Sequence, residues 1–246
     1  MIPRKLYFRL RFFITLTVIA PASAFSASKT AISPELEKAI LAEDWQRVVT
    51  KCGPNEGLTS LPVLRAIKAH GCLTLNQNNQ SLLLFLSITN DSDLVTWDTW
   101  TQEFSQKHSK KSIAHYFRGD ALARLGKFDL AIQSFNKALN YNSDFVLALN
   151  ARGVALAYKK QWKEADEDFE RACEIAPTFA EAYTSHGTLL ILKKAPEGAE
   201  IFFNKALTVS PDFALALNGR GCAEFARRTR GPQSGSARRH VGARPI

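Results

Sequence analysis

The four cysteines and five histidines are the residues most able to do chemistry in this chain of 246 residues, and their spacing gives them little to do. Cys52, Cys72, Cys173 and Cys222 form no C-x-x-C pair. No Cys/His spacing matches a zinc site, whose ligands come grouped a few residues apart. His70 and Cys72 are two residues apart in an apolar-periodic run, and on a helix that separation sends side chains to different faces. Cys52 and Cys72 fall on successive expected helices, where an oxidising compartment would let them pair. Two small buried thiols is the plainer reading. Among His70, His108, His115, His186 and His240, packing accounts for His115 and His186. No glycine-rich phosphate loop, nucleophile elbow or paired-carboxylate motif is present. The expectation is a non-catalytic chain with no metal and no cofactor. Binding through a shaped surface remains, so the elements that shape that surface decide the matter.

Those elements repeat. Gly119, Gly153, Gly187 and Gly221 are spaced 34 residues apart, the first two and the last preceded by Arg and the third by His186. Ala131, Ala165 and Ala199 follow at the same interval, then Phe135, Phe169 and Phe203, then Ala138, Ala172 and Ala206. The blocks close on Ser143, Pro177 and Pro211 with Phe145, Phe179 and Phe213. Each block holds two apolar-periodic runs around a short break, such as Leu125-Gly126-Lys127 or Lys160-Gln161-Trp162. Each block therefore reads as a helix–turn–helix, with its glycine and first alanine where two antiparallel helices cross closely. Proline, lacking an amide donor, ends the second helix. A fixed period of this length implies an all-α, right-handed α-solenoid of antiparallel helix pairs.

The pattern resembles the tetratricopeptide repeat, with repeats at 112–145, 146–179 and 180–213 and a partial fourth at 214–226. The resemblance implies a concave groove lined by the first helix of each pair. It places Tyr116, Asp120, Asn150, Val154, Tyr158, Glu181, Thr184, Thr188 and Asn218 on that groove. Co-chaperone members of the family grip a peptide carboxylate with Lys, Asn and Arg at places that here hold Tyr116, Asp120, Ala151, Glu181 and Ser185. That clamp is absent. The groove mixes apolar side chains with Asn and Thr, which suits holding a protein or peptide segment. The expected function is a protein–protein interaction scaffold. The alternative is an accessory subunit of an envelope enzyme system, with a small-ligand site near Trp97 and Trp100.

The formal charge of +9 belongs to the ends. Arg4, Lys5, Arg9 and Arg11 precede the first acid, Glu35, and six arginines stand in the acid-free residues 227–246. Taking those ten charges from +9 leaves −1 for the body, so the charge is no argument for nucleic acid. Residues 1–24 run basic, apolar, then Ala22-Ser23-Ala24, the order of a cleaved secretory signal. Export to the periplasm or beyond is expected, with no membrane span after cleavage; an uncleaved anchor is the alternative. Residues 25–33 read as a linker and 34–110 as degenerate helical repeats or an N-terminal cap. There Val48 and Leu83 take the alanine slot, and Gly71 crosses a helix over 81–88. A further helix over 94–106 would start from a cap at Asp91 or Ser92. The tail 227–246 reads as disordered, has no aromatic residue for base stacking, and has the Arg, Gly, Ala and Pro of an out-of-frame or truncated gene. Without a second helix in the fourth repeat, Leu217 and Phe225 should leave an apolar edge and a tendency to self-associate.

Overall fold

A computed structural model describes residues 32–52, 62–88 and 90–229. The expected signal at 1–24, the linker apart from Ile32 and Ser33, and the tail beyond Thr229 lie outside the described residues. Among the described residues there are twelve helices and no strand. In chain order they are α1 (Pro34–Leu41), α2 (Trp45–Lys51), α3 (Pro62–Thr74), α4 (Asn78–Leu86), α5 (Asp91–Lys107) and α6 (Ser112–Arg124). Then come α7 (Phe128–Tyr141), α8 (Val146–Tyr158), α9 (Trp162–Ile175), α10 (Ala180–Leu192), α11 (Pro196–Val209) and α12 (Ala214–Thr229). The pairs α6/α7, α8/α9 and α10/α11 stack in a right-handed solenoid closed by α12.

Local chemistry sets the starts and stops. Ser33 caps α1 by accepting from the Leu36 amide at 3.2 Å, with Pro34 at the first position. Asp44 caps α2 through the Arg47 amide at 3.1 Å. Asn90 caps α5 through the Asp93 amide at 2.8 Å, one residue before the expected Asp91. Five helix pairs share one turn. Its central residue has positive φ at Glu43, Asn76, Gly126, Lys160 and Lys194. In each, the next amide reaches back five residues, as from Gln77 to Cys72 O and from Gln161 to Leu156 O. This is the Schellman stop. Glycine is the natural residue for the left-handed conformation, and only Gly126 supplies it.

Side-chain volume fixes how the pairs cross. A Cβ placed on Gly153 would fall 2.8 Å from Phe169 Cε1, and one on Gly187 3.0 Å from Phe203 Cε1. Gly119 meets Phe135 in the same way. The flanking alanines 131, 138, 165, 172, 199 and 206 are all fully buried. Gly221 departs from the series: nothing lies within 4 Å of its would-be Cβ, because no second helix follows α12 among the described residues. The close approach passes to Gly219, which meets Phe203 of α11. Helix α12 also runs three residues beyond Ala226, and Arg227 there lies 3.6 Å from Glu200.

The arginines beside the glycines are not bystanders. Arg152 holds Asp168 through Nε at 2.8 Å and Nη2 at 2.6 Å, and reaches Asn136 of the preceding pair at 2.7 Å. Arg220 repeats the backward reach to Asn204 at 3.3 Å. Truncating Arg152 would strand the buried Asp168 carboxylate.

The N-terminal part departs from expectation in three places. Gly71 is closely packed, but against α2: its would-be Cβ lies 2.7 Å from Val49 Cγ2. Leu83 is 69% exposed, and Ser81 and Leu84 are the buried positions of α4. Ser81 Oγ donates to Ala69 O of α3 at 2.9 Å. Helix α5 carries Trp97, Thr101 and Phe104 34 residues before Ala131, Phe135 and Ala138, and all three are buried. It therefore packs on α6 from the place a preceding second helix would take, leaving α4 to lie elsewhere.

Gly153→Ala should cost about 1–3 kcal/mol through overpacking against Phe169. Gly221→Ala, with space and a helical backbone, should gain up to about 1 kcal/mol. Urea titration of both variants checks this, and the opposite order of midpoints would contradict the crossing geometry.

Candidate binding groove

First-helix residues three or four apart share a face, and five of the nine expected groove residues meet at one cleft. Tyr116 and Asp120 from α6, Asn150 and Val154 from α8, and Glu181 from α10 line it. The cleft is small, about 100 Å³, below the roughly 300–1,000 Å³ typical of small-molecule sites. The other four residues stand apart from its lining. Tyr158 stacks on Phe128 at 4.4 Å, inside the packing between repeats. Thr184 and Thr188 turn their hydroxyls onto Ala180 O at 3.0 Å and Thr184 O at 2.8 Å. Asn218 is exposed on α12.

The opposite wall of the cleft is α4. Leu82, Phe85 and Leu86 line it across from Tyr116, Asn150 and Leu215. Two asparagines hold this helix over the array. Asn76 Nδ2 donates to Thr178 O in the loop before α10 at 2.7 Å. Asn79 Nδ2 donates to Asp212 O at 2.8 Å, and Asn79 Oδ1 accepts from the amide of Ala214, the first residue of α12, at 3.0 Å. Asn79 thus caps α12 from 135 residues away. The Arg124 guanidinium sits 4.0 Å over the Phe85 ring. The fit is incomplete: the buried oxygens Asn78 Oδ1 and Asn150 Oδ1 find no donor.

Beneath the cleft lies a buried polar cluster that spans α3, α5 and α6. Tyr116 OH lies 2.9 Å from His70 Nδ1, and His70 Nε2 lies 3.4 Å from Asp120 Oδ2. The tautomer with the proton on Nε2 lets Nδ1 accept from Tyr116, while Nε2 faces Asp120 without a hydrogen bond. Asp120 Oδ2 also accepts from Arg124 Nε at 2.7 Å and Trp97 Nε1 at 3.0 Å. Burial pushes the His70 imidazole down against the pull of Asp120, so it is neutral. Burial opposes the Asp120 charge, but the Arg124 guanidinium outweighs it and holds its carboxyl well below the usual carboxylate range. Sequence spacing could not find this cluster, since 46 residues separate Tyr116 from His70.

The small-ligand alternative meets a packed core. Trp97 is fully buried and Trp100 is 5% exposed. They stack on each other at 5.3 Å, and Trp100 stacks on Phe104 at 4.6 Å, leaving no indole face for a ligand. Cys52 and Cys72 are both buried free thiols. Burial pushes Cys52 and Cys173 up to about 12, which leaves neither as a thiolate at neutral pH. Among the described residues no three His, Cys, Asp or Glu side chains gather as metal ligands, and no helix is long and apolar enough to cross a membrane.

Sequence profiles agree with the geometry. A profile described as TPR repeat matches residues 119–160, and two described as tetratricopeptide repeat match 146–179 and 180–213. Residues 119–213 are tetratricopeptide repeats. No curated protein is significantly similar to the chain in sequence. Similar solved structures include the first TPR of Spaghetti (RPAP3) bound to HSP90 peptide SRMEEVD. It is 21% identical with TM-score 0.46, covering 49% of this chain and 95% of that one. The Sgt2 TPR domain from Aspergillus fumigatus is 19% identical with TM-score 0.46, covering 54% and 90%. YrrB, a TPR protein with an unusual peptide-binding site, is 18% identical with TM-score 0.44, covering 76% and 88%.

The cluster that joins these repeats to the N-terminal helices should make stability depend on pH. A histidine kept neutral by burial binds fewer protons folded than unfolded. Its contribution is whole above the unfolded pKa of about 6.5 and is lost as pH falls below it. Each such histidine adds a slope of at most about 1.4 kcal/mol per pH unit. His186, also pushed down by burial, acts in the same direction. The fall in Tm between pH 7.5 and 5.5 should be shallower in His70→Gln than in the unmodified chain. Equal falls in differential scanning calorimetry would mean that His70 titrates alike in both states.

Proposed function

We propose that the chain is a non-catalytic protein–protein interaction scaffold that binds a peptide or protein segment along the concave face of its repeats. The observation that carries this reading is Asn150: it is 6% exposed, lines the cleft, and its amide oxygen has no donor. A buried acceptor left unpaired costs roughly 1–3 kcal/mol, which a bound segment with an N–H at that point would recover. The contact surface proposed is Tyr116, Asp120, Asn150, Val154 and Glu181, with Asn218 exposed beyond it. Tyr158, Thr184 and Thr188 are taken up by packing and helix-internal bonds. The basic–apolar–small order of residues 1–24 supports export to the periplasm or medium as the setting.

A photo-crosslinking amino acid placed at Val154, in the native host, tests the groove. It should yield a discrete adduct whose crosslinked segment can be sequenced by mass spectrometry. The same amino acid at Leu130, 48% exposed on second helix α7, should not. Adducts from Leu130 and none from Val154 would move the binding face to the outer surface.

A second reading, compatible with the first, rests on α12. Phe225 is 63% and Leu217 43% exposed where no covering second helix follows among the described residues. We propose that copies of the chain self-associate through this edge. The purified full chain should sediment heavier as concentration rises, and Phe225→Glu with Leu217→Glu should hold it monomeric. A concentration-independent monomer in the unmodified chain would end this reading.

A further inference from the structure

The concave face of the array already has an occupant. Helix α4 crosses it, and the occupant's character states what the face accepts. The segment Asn78–Leu86 contains no charged residue, and Leu82, Phe85 and Leu86 all line the shared cleft. On the array side, the one carboxylate of α6 in the cleft, Asp120, is paired with Arg124 and accepts from the Trp97 indole below it. That wall therefore favours apolar surface over an ionic peptide terminus.

The seating of α4 is also provisional in form. Its hydrogen bonds to the array sit at its N-terminal end, where Asn76 and Asn79 clasp the loop carbonyls of Thr178 and Asp212. Toward its other end the Phe85 ring lies under the Arg124 guanidinium. Between them a cavity of about 100 Å³ remains, and amide oxygens on both walls, Asn78 and Asn150, find no donor. A second helix with the same apolar stripe and a better-placed amide donor would fill that space. Displacement need not unravel the repeats, because the glycine–phenylalanine crossings of α6 to α11 do not involve α4.

We infer that α4 is a tethered occupant of the groove, and that the groove's partner is a short, uncharged, Leu/Phe-rich helix from another polypeptide that takes its place. This rests on the groove being the binding face. It adds the partner's chemistry and the competition that sets its affinity: a partner meets a site whose open fraction is fixed by α4, and its apparent affinity is reduced by that fraction.

The probe is a synthetic peptide of residues 76–88 carrying a Lys-Lys tail and fluorescein, titrated with the full chain and followed by anisotropy. Asn79→Ala with Phe85→Ala removes the Asn79 half of the clasp and the ring contact, leaving Asn76 on Thr178 O, and should tighten peptide binding at least tenfold. Adding Val154→Glu should abolish the gain, and a scrambled peptide should bind tenfold or more weakly. Circular dichroism checks that each variant folds. If the double variant does not, Asn79→Ala alone should still tighten binding severalfold. Equal affinity for the unmodified and released chains, or affinity indifferent to Val154→Glu, overturns the inference. Absence of peptide binding alongside a Val154 crosslink to another polypeptide rejects this partner class and leaves the groove reading standing. Absence of both rejects the two together.

Discussion

The close approach of a first-helix glycine to a second-helix phenylalanine is the contact on which the rest of the array depends. Gly119, Gly153 and Gly187 each let a benzyl ring lie where a methyl group would otherwise stand. The flanking buried alanines let the backbones draw together on either side. Because the same contact recurs at the same interval, each pair presents the next with the same surface, and a solenoid is the only arrangement that satisfies all of them. The arginine beside the glycine then ties pair to pair, as Arg152 does with Asn136 and Asp168.

That contact is local in sequence, which is why the fold was legible. Sixteen residues separate Gly153 from Phe169, and the same spacing stands at Gly119 and Phe135 and at Gly187 and Phe203, 34 residues to either side. The first-helix face was legible for the same reason: the repeat spacing alone brings Tyr116, Asp120, Asn150, Val154 and Glu181 to one surface. What lies over that face was not. Helix α4 is held by side-chain amides that meet backbone atoms 102 and 133 residues away. A backbone carbonyl carries no residue identity that a sequence pattern could record. Leu83 shows the cost: the alternation around it fits either face of a helix, and a register shift put Ser81 and Leu84 against α3 instead. Trp97 and Trp100 mislead in another way, since a large aromatic serves a core as well as a pocket.

The buried cluster around Asp120 marks the junction between regular and irregular halves. His70 comes from α3, Trp97 from α5, and Tyr116 and Arg124 from α6, so three elements of different sequence character meet on one carboxylate. An apolar junction would tolerate sliding. A carboxylate that accepts from Arg124 and Trp97, with the Tyr116–His70 pair beside it, sets both the distance and the rotation between the elements.

Solenoids ordinarily fray. Each repeat touches only its neighbours, so the ends open first and stability adds along a line. The bond from Asn79 to Ala214 joins an early helix to the last of the described helices and closes that line into a loop. Opening α12 then breaks a tie to α4, and lifting α4 removes the cap of α12. The terminal helix, which would be the first to melt in an open array, is bound to the fate of the N-terminal hairpin. Whatever dislodges α4 from the groove therefore also loosens the start of α12, and occupancy at the centre is felt as order along the array.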